Sequence, residues 1–436
     1  MKAFVENRFG LLVLVVVALS ALYGVALVTR PAPVPAARAE GPRKVAVESV
    51  TAVCPGAEGA RMNVYLPGRL SHEVMKNAEP YVTNGPGALE AGYTTRVTSG
   101  AARGLSGVRC TEPAQSAWLA GPGPAAADVI LHLTNADKAP AQADVEVYAA
   151  EGLVSGDAGR GLEIAPGEHK VIDLKTLAPS ADVMAVGVTT VFGRLAVAAR
   201  ASMRGGGVDW LPLAAPPATR VVVPGIPGGG GRRELLVAAP GENDVSVQVK
   251  AVSEDAAYAM RGRESVDVPA GSVVALDVTT GIGGEAAALV LTAPAPIVAG
   301  LVATGTGRRL DVAFTAGTPP LDLGSAVAGN GPGTRLLFTA PDGPGEVRVQ
   351  EVPAKGAAGR PYDVAVPAGR TKEVRLRGKG EFAVVVTPVS GQVYGGRVIE
   401  EREKDGLLVT AQPLAPARVW TVLPALTDSP RVVLPG

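Results

Sequence analysis

The sequence predicts an all-β protein: an N-terminal transmembrane helix followed by tandem β-sandwich repeats of the Ig-like kind. Three observations predict it. A Pro/Gly phrase is repeated at a period near one hundred residues, as Ile164-Ala-Pro-Gly167-Glu-His-Lys, Val268-Pro-Ala-Gly271-Ser-Val-Val and Val366-Pro-Ala-Gly369-Arg-Thr-Lys; Gly167 to Gly271 is 104 positions and Gly271 to Gly369 is 98. Such a period marks one architectural unit used repeatedly. The composition is rich in Val, with 55 Gly and 37 Pro, which suits short strands punctuated by turns. Finally, Phe9 to Val28 is an uncharged apolar run, long enough to cross a bilayer as a helix.

Residues 1–29 carry that run, with Lys2 and Arg8 before it and Arg30 after it. Two readings compete. A retained anchor, with residues 9–28 in the membrane, follows from the length of the run, which exceeds the usual h-region of a signal peptide. The alternative is secretion after cleavage near Ala39, since Ala37-Arg38-Ala39 is an A-x-A-like site. In either case the bulk of the chain is expected to be extracytoplasmic. Residues 30–43 are Pro/Ala-rich and read as a semi-rigid stalk. Residues 44–115 form a β segment that does not repeat cleanly. The two cysteines of the chain, Cys54 and Cys110, lie in it and read as one disulfide in an exported protein. It would close a loop of about 57 residues and contribute roughly 4 kcal/mol.

Repeat one covers 116–218, repeat two 219–319 and repeat three 320–416. In each, an apolar strand such as Leu235-Leu-Val237 leads through a turn to an alternating strand such as Val245-Ser-Val-Gln-Val249. The Pro-Gly phrase follows, then a two-strand run bent at Gly or Pro, then a closing strand such as Leu310-Asp-Val-Ala-Phe314. That is about seven short strands per unit, the spacing of a sandwich. Residues 417–436 repeat the opening of a unit: Arg431-Val-Val-Leu434-Pro-Gly parallels Arg220-Val-Val-Val223-Pro-Gly. This tail either covers an edge of the preceding sandwich or pairs with the N-terminal piece to close a ring. A closed β-propeller of about seven blades is the alternative architecture.

Chemistry is read mostly by exclusion. Lys plus Arg and Asp plus Glu each number 41, and no basic stripe gives a nucleic-acid footprint. His72, His132 and His169 have no partner at metal-ligand spacing; His132 and His169 are expected at the surface. Gly104-Leu-Ser106-Gly107 lacks the nucleophile-elbow spacing, and Gly305-Thr-Gly307 precedes no helix, so it reads as a turn. Gly228 to Gly231 reads as a flexible loop, and Glu400-Glu401 as a solvated charged run. Trp118, Trp210 and Trp420 read as core or boundary anchors. No catalytic, cofactor-binding or metal-binding residue is assigned, and no cofactor is expected.

The block Arg103-Gly-Leu-Ser-Gly-Val-Arg-Cys110-Thr-Glu-Pro113, then Ala117-Trp118-Leu-Ala-Gly121 and a Leu-x-Leu-Thr-Asn135 strand, resembles the domain-of-unknown-function family 5719, an actinobacterial envelope family. Cys54-Pro-Gly56 and Asp209-Trp210-Leu-Pro212 fit the same pattern, whereas Ala239-Pro240 and Ala340-Pro341 depart from its Asn-Pro. The resemblance implies an envelope-associated, anchored or secreted protein with no catalytic residues. The expected function is therefore a non-catalytic, membrane-anchored scaffold or interaction module of the bacterial cell envelope. The alternative is an accessory or glycan-binding subunit for cell-wall polysaccharide assembly, with loops 224–233 and 325–334 forming its site.

Overall fold

The computed structural model describes residues 2–29, 43–154, 156–417 and 419–423. The A-x-A site at Ala39, the stalk from 30 to 42 and the tail strand Arg431–Leu434 lie outside the described residues. The chain forms two units, residues 1–45 with 421–436, and residues 46–420.

The first unit holds helix α1 (Lys2–Val28), which at 1.5 Å per residue is about 40 Å long. Its segment Phe9–Val28 has a mean hydropathy of 2.8, with apolar side chains exposed all round, as suits a helix solvated by lipid. The helix is therefore compatible with membrane anchoring. Strand β1 (Arg43–Ala46) pairs with β33 (Trp420–Leu423), so the described part of the tail meets the N-terminal piece and, among the described residues, adds no strand to repeat three.

The second unit contains four sandwiches, one more than the number of Pro-Gly phrases. Repeat one runs β8 (Ser116–Pro122), β9 (Ala127–Thr134), β10 (Ala141–Ala149), β11 (Gly152–Leu153), β12 (Leu162–Ile164), β13 (His169–Asp173), β14 (Val183–Phe192), β15 (Ala196–Met203) and β16 (Val208–Leu211). Its first sheet has the order β8-β14-β10, with β11 and β12 beside β10; its second is β13-β9-β15-β16. Repeat two follows the same plan with β17 (Ala218–Ile226), β18 (Arg233–Ala239), β19 (Val245–Val252), β20 (Ala257–Ala259), β21 (Ser265–Val268), β22 (Ser272–Asp277), β23 (Ala287–Thr304) and β24 (Val312–Ala316). Here β23 is unbroken and serves both sheets, pairing with β17 and β19 through one half and with β18 and β24 through the other. Repeat three has β25 (Ser325–Asn330), β26 (Thr334–Ala340), β27 (Gly345–Pro353), β28 (Tyr362–Val366), β29 (Arg370–Arg375), β30 (Phe382–Ser390), β31 (Tyr394–Glu403) and β32 (Gly406–Pro413), in sheets β25-β30-β27-β28 and β29-β26-β31-β32. Each repeat thus has an opening strand (β8, β17 or β25) beyond the seven the sequence suggested.

The repeated phrase is a turn with one fixed function. Gly167, Gly271 and Gly369 have φ of 75°, 64° and 66°, the left-handed region that glycine enters without strain. Each donates its N–H to the carbonyl that ends the unit's second strand: Asn135, Ala239 and Ala340.

The segment 44–115 departs from the expectation that it lies outside the repeat. Its strands are β2 (Val50–Cys54), β3 (Arg61–Leu66), β4 (Arg69–Val74), β5 (Tyr81–Gly85), β6 (Glu90–Val97) and β7 (Gly104–Arg109), in sheets β2-β5 and β4-β3-β6-β7. The second sheet has the same order as β13-β9-β15-β16, so this is a fourth, short sandwich. It is hard to recognise because a tight turn at Pro67-Gly68 joins β3 to β4 directly. Two strands and the Pro-Gly phrase are thereby lost. Cys54 and Cys110 form the expected disulfide, linking the end of β2 to the residue after β7.

The sandwiches close into a ring by packing, and no seven-bladed propeller or closed barrel forms among the described residues. The first sheet of each sandwich lies on the second sheet of the next: β8 on β18 and β23, β17 on β26 and β31, β25 on β3 and β6, and β2 on β15. The apolar clusters cross the same boundaries. Leu236, Ala238 and Val273 of repeat two join the core of repeat one, and Leu337 and Val398 of repeat three join that of repeat two. Tyr65 and Leu70 of the short sandwich meet Ala326 and Val352 of repeat three. Ion pairs from Arg96 to Glu401 and Glu403, and from Arg61 to Glu381, flank that last junction. Removing the cross-link by the pair Cys54→Ala and Cys110→Ala is expected to lower the unfolding free energy by about 4 kcal/mol. Urea unfolding with and without reductant measures this, and coincident midpoints would refute it.

Candidate functional site

The closing strands β7, β16, β24 and β32 each touch two of the others, so they meet in a circle at the middle of the ring. Polar side chains join them. Asp209 on β16 accepts through Oδ1 from the N–H groups of Gly107 at 2.9 Å and Trp210 at 2.8 Å, and through Oδ2 from Thr410 Oγ1 at 2.8 Å. Asp311, beside β24, accepts through Oδ2 from Leu105 N at 3.0 Å and Val409 N at 2.9 Å. Ser106 Oγ donates to the Val208 carbonyl, and Arg103 Nη1 to the Leu310 carbonyl at 3.1 Å. Gln412 Nε2 donates to the Gly107 carbonyl while Arg397 Nη2 donates to Gln412 Oε1. Every bond in this set except Asp209 to Trp210 and Arg397 to Gln412 crosses from one sandwich to another.

Burial governs the charges. Asp209 and Asp311 are fully buried. Loss of hydration raises the Asp209 carboxyl well above the usual range against three stabilising hydrogen bonds, with a further push from Asp311. The same cause lifts Asp311 to about 6. Asp311 Oδ1 has no hydrogen-bond partner and faces Gly104 and Gly207, where an added Cβ would lie 2.9 and 2.8 Å away. Burial also lowers the Arg397 guanidinium to about 10 and raises Glu90, although Arg109 grips both oxygens of Glu90 at 2.7–2.8 Å.

Beside this polar centre is a cavity of about 440 Å³. All three inter-sandwich linkers reach it, through residues of 111–114, 212–216 and 317–319, as does the segment that follows β32, at 413–417. Its wall is mostly apolar, with Val50, Trp210 and Leu323, and the Glu90–Arg109 pair and Gln412 supply polar groups. Asp209 and Asp311 do not line it. The cavity therefore offers apolar enclosure with one fixed ion pair, a lining suited to holding a ligand.

The residues singled out in the sequence fall differently. Ser106 is buried in the inter-strand bond described above, and Gly305-Thr-Gly307 is a turn that bridges to Gly406. The Gly228–Gly231 segment, expected to be a flexible loop, lies against a buried side chain. Buried Arg233 pins it by donating to the carbonyls of Pro227, Gly228 and Thr304, and a Cβ on Gly231 would sit 2.0 Å from the Thr304 oxygen. Residues 325–330 are strand β25 rather than a site-forming loop. Glu400 and Glu401 are not merely solvated but pair with Arg335 and Arg96. Trp118 packs on Tyr148 with ring centroids 5.7 Å apart, and Trp210 borders the cavity. His72 is exposed on β4.

The expectation for the other histidines is overturned. His132 Nδ1 lies 3.0 Å from His169 Nε2, the rings stack 14° from parallel, and Trp210 stands 5.3 Å from His132. Burial, with His169 beside it, lowers His132 to about 4. Their separation of 37 residues hides the pairing, which arises because β13 lies beside β9. No cluster of three or more metal-ligating side chains occurs among the described residues.

The match to known families now has a structure beneath it. Residues 77–377 match DUF5719, a family of unknown function. The chain belongs to DUF5719. The match covers more than half of the chain, starting just before β5 and ending just after β29. No curated protein and no solved structure matches this DUF5719 chain.

The raised Asp311 carboxyl makes stability depend on pH. Its folded pKa of about 6 exceeds the usual 3.8, so its protonated form favours folding, and that contribution fades as pH rises from about 4 through 6. The full effect is on the order of 3 kcal/mol. Asp311→Asn is expected to flatten this part of the pH dependence in urea unfolding between pH 4 and 7.5. Curves for variant and wild type that stay parallel would contradict it.

Proposed function

We propose that this chain is a non-catalytic, membrane-anchored interaction module of the bacterial cell envelope, with its β ring on the extracytoplasmic side. The observation that carries this reading is the commitment of the buried polar centre: the side chains of Asp209, Asp311 and Ser106 hold strands of different sandwiches together and do not line the cavity, and Gln412, which does line it, is held by Arg397 and the Gly107 carbonyl. The disulfide agrees with an oxidising compartment. Helix α1 supplies the means of attachment.

The second reading, an accessory subunit that binds a ligand for cell-wall polysaccharide assembly, is favoured by the cavity of about 440 Å³ and by Trp210 in its wall. Crosslinking in intact membranes followed by purification of the full chain tests both. A protein partner retained by the wild type, and unaffected by Leu323→Glu at the exposed cavity rim, is expected for the first reading. Retention of cell-wall glycan that Leu323→Glu abolishes would move the assignment to the second. Turnover of a cell-wall polymer, abolished by one side-chain change, would overturn both.

A further inference from the structure

The four sandwiches are not equivalent, and the difference leaves a place for a strand. In repeats one to three the middle strand of the first sheet, β14, β23 or β30, is flanked on its far side by β10, β19 or β27, always antiparallel. In the short sandwich the turn at Pro67-Gly68 deletes that flanking strand, so among the described residues β5 pairs with β2 alone. No other backbone hydrogen bond reaches Tyr81–Gly85 among the described residues. The edge is accessible: Val82 is 45% exposed and Asn84 is exposed.

The neighbouring surface shows the same gap. Each first sheet covers the outer side of the next sandwich's second sheet. β10 and β14 reach β22, where Val273 is fully buried. The end of β19 reaches β29, where Thr371 N and Oγ1 donate to the carbonyls of Ser253 and Val252. Strand β13 of repeat one holds the matching place against the short sandwich. Its His169, which aligns with Val273 and Thr371, is only partly buried. Val171, two places on and aligned with the packed Ala275, is 53% exposed.

We propose that the free edge of β5, with the partly exposed β13 of repeat one facing the same gap, is an acceptor site for a strand donated by a partner protein. The occupant is an extended segment, antiparallel to β5, with apolar residues at alternate positions. That chemistry is read from the three strands that fill the place elsewhere, whose buried Val residues alternate with exposed or half-buried polar ones: Val245, Val247 and Val249 in β19, Val347 and Val349 in β27, Val145 and Val147 in β10. Main-chain bonds to β5 would give affinity, and the alternate side chains would cover the gap. This surface is separate from the central cavity.

The probe is a synthetic peptide copying residues 243–254, offered to the full-length chain in detergent, with amide hydrogen exchange as the readout. Slowing of exchange at Tyr81–Gly85 by about tenfold or more is expected. A peptide N-methylated at every residue has no N–H to donate on either edge and is expected to lose the effect. Val171→Glu, an exposed change that leaves the fold intact, is expected to weaken peptide binding at least about tenfold through a charge placed in the covered strip. Unchanged exchange at β5 with the peptide, or equal binding of the N-methylated peptide, overturns the proposal. Protection of β5 in the chain alone, rising with concentration alongside dimer formation, overturns the partner-protein occupant in favour of a second copy.

Discussion

The whole fold depends on four closing strands meeting at one centre. Strands β7, β16, β24 and β32 come from four different sandwiches, and no ladder of backbone hydrogen bonds joins them. Something else has to satisfy the polar groups they bury, because an unpaired amide in a dry interior costs about 1–3 kcal/mol. Asp209 and Asp311 do this by accepting from the backbone N–H groups of neighbouring strands. The cost is visible in the carboxyls themselves, both held more readily protonated than usual. Burial of this kind adds little to net stability but rewards one arrangement over others, since a shifted strand would leave a carboxylate unpaired. In this chain the centre thus sets the register of the ring.

The sequence was legible where the chain obeys its own repeat. Val-rich alternation identified the strands, and the glycines of the Pro-Gly phrase marked a turn that the structure shows in left-handed conformation three times. The fourth sandwich was illegible for a physical reason: replacing the excursion between β3 and β4 by a two-residue turn removed the phrase along with the strands. The count of seven leaves out the opening strands, although Arg220-Val-Val-Val223, which lies in β17, reads as the start of a unit. The tail was better placed, since its two open readings included the pairing with the N-terminal piece that β1 and β33 make.

The candidate site was scarcely legible. Its polar groups are single residues on strands about one hundred positions apart, so no local motif collects them; Asp209 and Thr410 are 201 residues apart. The Asp209-Trp210 pair stood out as part of the DUF5719 resemblance, but its role as a link between sandwiches needs the ring. His132 and His169 failed for a related reason: their strands read as surface only if each repeat is considered alone. The partial burial of His132 comes from the neighbouring short sandwich, whose own first sheet is too small to cover β13. A single sequence reports alternation within a sheet reliably; it reports poorly which outer faces a neighbour will cover.

The position of the disulfide has a mechanical consequence. A pull transmitted along the chain from α1 enters at Arg43, where β1 is held by its short pairing with β33. If that pairing peels away, the next covalent obstacle is Cys54, tied to Cys110 at the foot of β7. Tension would then bypass the short sandwich and pass directly to a strand of the central circle. Extension of the tether would be limited to the residues before Cys54, unzipping β2 from β5 but leaving the three repeats folded under load.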